Sequence, residues 1–134
     1  MDPAEVGRRG ERAAALYYIQ RGCTLLEHNY RIRGGEIDLI LRTPEGHIVI
    51  CEVKTRTNPN AVCRPSASVT RAKQRRLIRA ARYYLSETNQ QEAFVHFDVA
   101  EVTPLDSGRW MVHIIKRAFD ASERNYDSGW KRSD

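Results

Sequence analysis

Three ionisable residues interrupt two apolar segments at positions where a plain hairpin would carry apolar side chains. Asp38 lies inside the run Glu-Ile-Asp-Leu-Ile-Leu, and Glu52 and Lys54 lie inside Ile-Val-Ile-Cys-Glu-Val-Lys. The turn sequence Thr-Pro-Glu-Gly separates the two runs and predicts a β-hairpin. Charged residues inside core-like strands conflict with the local pattern, and such conflicts are typical of functional sites.

A turn centred on Glu45 determines which residues face each other. It places Asp38 opposite Glu52 and Glu36 opposite Lys54, because opposed residues are equally far from the turn. Directly opposed carboxylates repel each other, and a divalent cation between them would remove the repulsion. Side-chain alternation puts Asp38, Glu52 and Lys54 on one face. Odd-numbered apolar residues line the other, core face: Leu39, Leu41, Val49, Cys51 and Val53.

The chemistry that this hairpin predicts is that of a bound Mg²⁺ ion. Mg²⁺ prefers oxygen ligands, commonly takes one or two carboxylates, and keeps waters for the substrate side. The backbone carbonyl of Val53 would add a ligand to Asp38 and Glu52, and we expect Mn²⁺ to substitute. Such an ion lowers the pKa of a bound water and polarises a phosphoryl oxygen. Lys54 would stabilise a hydroxide, orient the nucleophile or neutralise charge developing on phosphorus.

The alternative interpretation is a purely structural one. Glu36, Asp38, Glu52 and Lys54 would form a cross-strand salt-bridge ladder on a solvent-exposed face. An acidic residue two positions before a lysine is a weak motif alone. The hairpin register, the apolar flanks and a further acid upstream, Glu11, together favour the metal site.

A long basic segment favours a polyanionic partner. The chain has 134 residues, a net charge of +5 and a pI of about 9.4. No acidic residue occurs from position 53 to position 86, a segment that contains Arg56, Arg71 and Lys73. Within it Arg75, Arg79 and Arg82 recur at helical spacing and would follow a phosphate backbone. No base-reading element is apparent, so the pattern favours recognition of nucleic-acid shape or branching over recognition of sequence.

Composition also indicates the cellular compartment of the protein. No apolar run approaches the ~20 residues needed to span a membrane, and the charged N-terminal segment does not resemble a signal peptide. We therefore expect a cytoplasmic protein with neither a membrane partner nor a small-molecule substrate. Cys23, Cys51 and Cys63 show no Cys-x-x-Cys spacing and are interpreted as free thiols. A zinc site that uses His28 or His47 is the less favoured alternative.

Periodicity and turn signals predict one domain over residues 1–120, followed by a polar and flexible tail over 121–134. Helices are predicted over residues 3–22, with Asp2 as N-cap, and over 69–86. Strands are predicted over 24–32, 36–42, 47–55, 93–102 and 109–116, and residues 58–68 are predicted to form a loop. This order of elements indicates a mixed sheet covered by helices, which is an α/β fold.

The sequence also indicates roles for individual residues of the first predicted helix and of the fourth predicted strand. The first predicted helix takes its apolar residues from Val6, Ala13, Leu16, Tyr17 and Ile19, with Glu11 on another face. Gly7 and Gly10 weaken that helix and would be explained by a phosphate backbone passing close to it. Asp98 alternates with apolar neighbours, so a buried hydrogen-bonding role is favoured over a catalytic one.

Three sequence blocks resemble the YraN family of small bacterial proteins, which are predicted endonucleases. The blocks are GRRGERAA at residues 7–14, HNYRIRGGEIDLI at 28–40 and VICEVKTR at 49–56. The family is similar to the archaeal-type Holliday junction resolvases of the PD-(D/E)XK nuclease superfamily. The resemblance covers roughly residues 5–103. CRPSAS at residues 63–68 departs from the typical Phe-Gly loop of the family, and His96 stands where arginine is usual.

The resemblance implies a restriction-endonuclease-like core of order α-β-β-β-α-β, here with one extra strand. It implies that Glu11, Asp38, Glu52 and Lys54 are catalytic. Glu11 would complete the metal shell directly or through a water molecule. Lys73 or Gln74 match an auxiliary polar position, and both join the expected nucleic-acid-binding residues.

The function expected from these observations is Mg²⁺-dependent hydrolysis of phosphodiester bonds in DNA, with branched or structured DNA as substrate. Because cutting both strands of a duplex needs two copies of the site, we expect a homodimer. Two alternatives remain at this stage: a non-catalytic nucleic-acid-binding protein that keeps the nuclease fold, and an adaptor that docks on a larger repair or recombination complex.

Overall fold

Five strands form one mixed sheet, with one helix packed on each face. The computed structural model describes residues 2–57 and 69–121. Its elements in chain order are α1 (Pro3–Gln20), β1 (Thr24–Ile32), β2 (Gly35–Arg42), β3 (Ile48–Thr55), α2 (Arg71–Glu87), β4 (Val95–Pro104) and β5 (Trp110–Phe119). The predicted element order is confirmed. The predicted loop over 58–68, with Cys63, and the predicted tail from 122 onward lie outside the described residues.

The spatial order of the strands equals their order in the sequence, β1-β2-β3-β4-β5. Strands β1, β2 and β3 pair antiparallel, β3 and β4 pair parallel, and β4 pairs antiparallel with β5. The chain between β3 and β4 includes α2, because two parallel strands need a long crossover connection. The sheet is therefore mixed, and the predicted α-β-β-β-α-β order with one extra strand is confirmed.

Local signals explain where both helices begin. The Asp2 carboxylate accepts a hydrogen bond of 2.8 Å from the Glu5 amide, and Pro3 occupies the first turn of α1. The Thr70 hydroxyl accepts a hydrogen bond of 3.2 Å from the Lys73 amide at the start of α2. Neither helix in the described part of the chain is long and apolar enough to cross a membrane.

Both faces of the sheet are core. The odd-numbered residues predicted as core, including Leu39 and Cys51, pack with Ala14 and Tyr18 of α1. The even-numbered isoleucines of β2 and β3 pack with α2 through Leu77, Ile78, Ala80, Ala81 and Tyr84. The sheet is therefore covered by apolar side chains on both sides.

Helix α1 buries a different face from the one expected. Leu16 and Ile19 are 49% and 44% exposed, whereas Ala14 and Ala15 are buried. Gly10 is buried with them, and a Cβ added there would lie 2.6 Å from the Thr55 hydroxyl oxygen. The small side chains let the helix approach the sheet closely. The expectation that Gly10 makes room for a phosphate backbone is therefore wrong, because protein atoms occupy that space.

Asp98 takes the buried role that the sequence predicted. Its carboxylate is 4% exposed and accepts hydrogen bonds from the Tyr18 hydroxyl at 2.7 Å and from the Arg117 amide at 3.0 Å. These bonds connect α1, β4 and β5. Cys23 and Cys51 are free thiols, as expected.

Substitution of Gly10 by alanine should destabilise the protein. The new methyl group would also lie 2.9 Å from Val102, and overpacking of this kind costs about 1–3 kcal/mol. Chemical unfolding measures the change. Gly7→Ala is the matched control on the same helix, because nothing lies within 4 Å of a Cβ there. Its helix propensity should raise stability by up to about 1 kcal/mol. Equal effects of the two substitutions would contradict the close contact at Gly10.

Candidate active site

The hairpin of β2 and β3 has the register that its turn predicts. Leu39 pairs with Cys51, Ile40 with Ile50, and Leu41 with Val49. The ladder ends at the first of these pairs, so Asp38 and Glu52 lie just beyond the paired part. Glu36 does not face Lys54 as expected. It pairs with Arg31 of β1 and forms a 3.3 Å ion pair with it, because the pairing of β2 with β3 ends at Leu39 whereas β2 stays paired with β1 as far as Gly35.

Strand alternation breaks at Asp38. Ile37 and Ile40 both belong to the core beneath α2, while Leu39 belongs to the core beneath α1. In a regular strand Ile37 and Leu39 would share a face. The break lets the Asp38 carboxylate reach between β2 and β3, where it accepts a 2.8 Å hydrogen bond from the Val53 amide.

The same hydrogen bond gives the direction of the Val53 carbonyl. The amide and carbonyl groups of one strand residue point to the same neighbouring strand. Because the amide points at Asp38, the carbonyl also faces the opening between β2 and β3. The predicted third oxygen therefore lies on the side of the strand that carries Asp38.

Asp38 and Glu52, the carboxylate pair, meet at this opening. Glu52 is only 6% exposed. Burial, followed by the negative charge of Glu52, raises the pKa of Asp38 to about 7. A half-buried and a buried acid in this arrangement hold a proton or a cation between them more readily than two negative charges.

Two lysines lie beside the carboxylate pair. The Lys73 ammonium, from the first turn of α2, is 3.0 Å from a Glu52 carboxylate oxygen. Burial, followed by the positive charge of Lys73, lowers the pKa of Lys54 below its ordinary value. The ion-pair partner of Glu52 therefore comes from α2, and not from Lys54 as a cross-strand ladder would require.

Glu11 approaches the site from the opposite face of the sheet. It is half-buried on α1, and burial, followed by the charge of Asp38, raises its pKa. The side chain of Asn29 lies within hydrogen-bonding reach of its carboxyl group and partly offsets that rise. The three predicted acids thus come from α1, β2 and β3 and meet near one end of the sheet.

The donor set fits a hard divalent cation. Within residues 2–57 and 69–121, no three His, Cys, Asp or Glu side chains are preassembled as a metal cluster. The available oxygens are those of the carboxylate pair and of the Val53 carbonyl, with the Glu11 carboxyl on the α1 side. Two carboxylates and a carbonyl are ligands that Mg²⁺ accepts, since it commonly retains several waters. The zinc alternative has no such group of ligands in the described part of the chain.

One acid near the site was missed by the sequence reasoning. Glu101 of β4 is the parallel register partner of Lys54, and its carboxylate oxygen lies 3.5 Å from the Arg56 guanidinium. Arg56, predicted to bind nucleic acid, is therefore held by an ion pair with β4. The alternation of Phe97, Val99 and Glu101 was the available signal, because it puts Glu101 on the face that packs against α2.

The basic face of α2 lies next to the carboxylate pair. Arg71, Arg79 and Arg82 are exposed, and Arg75 is half-buried. Gln74 has a local contact, because its side-chain amide donates a 3.0 Å hydrogen bond to the Val69 carbonyl. Lys73 at the helix start connects this basic face to Glu52.

A histidine pair lies at the other end of β3, away from the carboxylate pair. The Nδ1 atom of His47 is 2.8 Å from the Nε2 atom of His96. Both residues line a cavity of about 460 Å³ that also contacts Arg21 and Arg117. The sequence showed no ligand spacing for these histidines because His47 precedes β3 and His96 belongs to β4, 49 residues later.

The raised pKa of Asp38 determines how stability changes with pH. The folded protein keeps this proton up to about pH 7, whereas the unfolded chain loses it near 3.8. The stability contributed by the protonated Asp38 is complete below 3.8 and is lost as the pH rises through 7. Asp38→Asn carries no charge at any pH, and its amide oxygen can still accept from Val53.

We expect Asp38→Asn to be more stable than the wild type at pH 8 in EDTA, by at least about 1 kcal/mol. The difference should disappear near pH 4. Urea unfolding across this range measures it. Asp106→Asn, at an exposed loop acid, is the control. A stability difference that does not depend on pH would contradict the raised pKa of Asp38.

The protein is similar to many bacterial proteins that carry only a family designation. It is 42% identical over 116 residues to a UPF0102 protein of Symbiobacterium thermophilum, covering 87% of this chain and 97% of that protein. It is 45% identical over 109 residues to one of Cupriavidus pinatubonensis, covering 79% of each chain. The identity to one of Pelobacter propionicus is 37% over 120 residues, covering 89% of this chain and 85% of that protein.

A solved structure, that of Pyrococcus furiosus SfsA in complex with Ca²⁺, is similar at a TM-score of 0.40 and 12% identity. The match covers 84% of this chain and 63% of that one. The sequence profile described as "Uncharacterised protein family UPF0102" matches residues 10–102. The chain therefore belongs to the uncharacterised protein family UPF0102, which is the YraN family that its motifs resemble.

Proposed function

We propose that this protein is a Mg²⁺-dependent endonuclease that hydrolyses phosphodiester bonds in DNA, with branched or otherwise structured DNA as its substrate. One observation carries the proposal: Asp38, Glu52 and the Val53 carbonyl border one opening, with Lys54 two residues beyond Glu52. A structural ion-pair ladder would not hold two carboxyl groups against each other, whereas a divalent-metal site uses such a pair as oxygen ligands.

Mg²⁺ bound at this opening would supply an activated water and an electrophile for a phosphoryl oxygen, and Mn²⁺ would substitute. Asp38, Glu52 and the Val53 carbonyl would hold the ion. Glu11 would bind one of its waters from the α1 side.

Lys54 would act on the reacting groups themselves. Its ammonium is partly desolvated, and it would orient the attacking water and offset charge on the phosphate. An ammonium with a lowered pKa gives up a proton more readily than a guanidinium, which stays charged. Lysine therefore suits this position better than arginine.

The basic surface beside the opening supports a nucleic-acid substrate. Arg71, Arg79 and Arg82 are exposed on α2, and Arg56, which forms an ion pair with Glu101, follows the end of β3. Phosphate contacts of this kind position a duplex without reading its sequence. Together with Lys73, Gln74 and Arg75 they would hold DNA of particular shape. A homodimer would place two such sites on the two strands.

A second candidate function is that of a nucleic-acid-binding protein without catalysis. The ion pair between Lys73 and Glu52 favours it, because a resident ammonium neutralises Glu52 without any metal. The adaptor function would use the same α2 surface to bind an acidic protein. Cytoplasmic location stays a prediction for all three functions.

Glu52→Gln should abolish cleavage and leave DNA binding intact. The amide keeps the shape of the side chain but cannot hold the metal as a carboxylate does. Loss of one stabilising group commonly costs a factor of about 10²–10³ in rate. Labelled junctions, flaps, hairpins and single strands in Mg²⁺ or Mn²⁺ provide the assay, and Glu92→Gln, at an exposed acid after α2, is the control. Equal cleavage by Glu52→Gln and wild type would refute the proposed site.

Lys73→Met should strengthen divalent-metal binding. Lys73 competes with the metal for Glu52, and methionine keeps an apolar side chain without the charge. We expect Mn²⁺ affinity to rise by roughly three- to tenfold, equivalent to about 0.7–1.4 kcal/mol. Isothermal titration or electron paramagnetic resonance of Mn²⁺ measures it without any substrate. Lys116→Met, at an exposed lysine of β5, should leave the affinity unchanged. Weaker metal binding by Lys73→Met would show that Lys73 supports the metal site instead.

A further inference from the structure

A pocket of about 280 Å³ lies beside Glu11, between α1 and the first two strands. Its apolar lining consists of Ala15, Leu25 and Leu39. Its polar lining consists of Arg8, Glu11, Arg12, His28 and Asn29. Since Glu11 also interacts with Asp38, the pocket is adjacent to the carboxylate pair.

Asn29 connects the pocket to Asp38. The register pairs His28–Leu39 and Tyr30–Ile37 flank Asn29 and Asp38, which therefore lie across from each other on β1 and β2. Asn29 has a φ of 50°, a left-handed conformation that few residues with a Cβ adopt inside a strand. Such conformations are commonly retained at functional sites. Here the conformation accompanies the break in strand alternation at Asp38.

The lining of the pocket restricts what can occupy it. Leu39 is 1% exposed and Ala15 is buried, so the floor of the pocket would desolvate a phosphate without pairing it. An aromatic ring suits such a floor. The volume is close to the lower end, roughly 300 Å³, of pockets for small ligands, so it matches one ring system and not a base pair.

The rim of the pocket complements a nucleotide. Arg8 and Arg12 are exposed and one helical turn apart on α1, so they are neighbours at the entrance. Guanidinium groups bind phosphates and stack on bases. The Asn29 amide oxygen offers an acceptor for the edge of a base, while the side-chain amide lies within hydrogen-bonding reach of Glu11 and its nitrogen is 3.4 Å from His28 Nδ1.

We propose that this pocket binds one unpaired nucleobase of the DNA substrate, next to the phosphate that is cut. The proposal rests on the proposed function and gives its substrate class: DNA with an unpaired nucleotide at the cleavage position, as in a flap, a bulge or an open junction. A fully paired duplex would first have to unstack and unpair that base, and the cost of doing so would disfavour it.

The experiment compares two labelled duplexes of the same sequence in EDTA, where no cleavage occurs. One carries 2-aminopurine as a single-nucleotide bulge, and the other carries it fully paired. The wild type should bind the bulged duplex about tenfold more tightly, within the range of one base contact. Among the described residues that line the pocket, His28 carries the one aromatic ring, so the 2-aminopurine fluorescence should rise on binding as the base leaves the stack.

Asn29→Gly tests the pocket directly. Glycine adopts a positive φ freely, so the backbone is preserved while the amide is removed. The affinity for the bulged duplex should fall to within about twofold of the affinity for the paired duplex, and the affinity for the paired duplex should stay unchanged. Asn89→Gly is the matched control, because Asn89 also has a positive φ, 56°, and is exposed after α2.

The possible results distinguish a failure of the pocket proposal from a failure of the proposed endonuclease function. Cleavage in Mg²⁺ without any preference for the bulged duplex would overturn the pocket and leave the endonuclease function in place. A preference that Asn29→Gly removes, in a protein that cuts no DNA, would support the pocket and overturn the catalysis. A preference that survives in Asn29→Gly but is lost in Arg71→Ala would assign it to α2 and overturn the pocket.

Discussion

Two carboxyl groups held close together in a half-buried opening are the constraint on which the site depends. The Asp38 carboxyl is held between β2 and β3 by the Val53 amide, and Glu52 adds its negative charge from the next strand. Burial disfavours both charges, so the folded chain gains by taking up a proton or a cation there. Lys73 supplies one cation from α2. The remaining repulsion between Asp38 and Glu52 destabilises the folded state. Apolar side chains at these two positions would make the protein more stable.

The topology of the sheet explains why the carboxylate pair lies in the second half of β3. Its antiparallel neighbour, β2, brings Asp38, and its parallel neighbour, β4, brings Glu101 beside Lys54. Helix α1 brings Glu11 from one face and α2 brings Lys73 from the other. Both faces of the sheet are filled with apolar side chains, and the ionisable groups of these four elements and of β3 lie beyond the last pair of β2 with β3, Leu39–Cys51. Gly10 allows the close approach of α1 on which the position of Glu11 depends.

Local features of this fold were predictable from sequence, and non-local ones were not. The turn at Glu45 determines the register of Leu39 with Cys51, because a hairpin register depends on a few adjacent residues. The break at Asp38 was not predicted, since it accompanies the left-handed Asn29 on another strand. The same limit explains Glu36, whose partner Arg31 belongs to β1, and Leu16, whose exposure follows from how closely α1 approaches the sheet.

The cations around the carboxylate pair differ in whether they already form an ion pair with an acidic residue. Arg56 is paired with Glu101 and Lys73 with Glu52. Burial, followed by the positive charge of Lys73, lowers the pKa of Lys54. An incoming anion would favour the charged form of this ammonium. On the proposed function that anion is the phosphodiester. A metal ion that binds Glu52 would displace the Lys73 ammonium, which would then be available to the phosphodiester. Metal and DNA would therefore each favour binding of the other through Lys54 and Lys73.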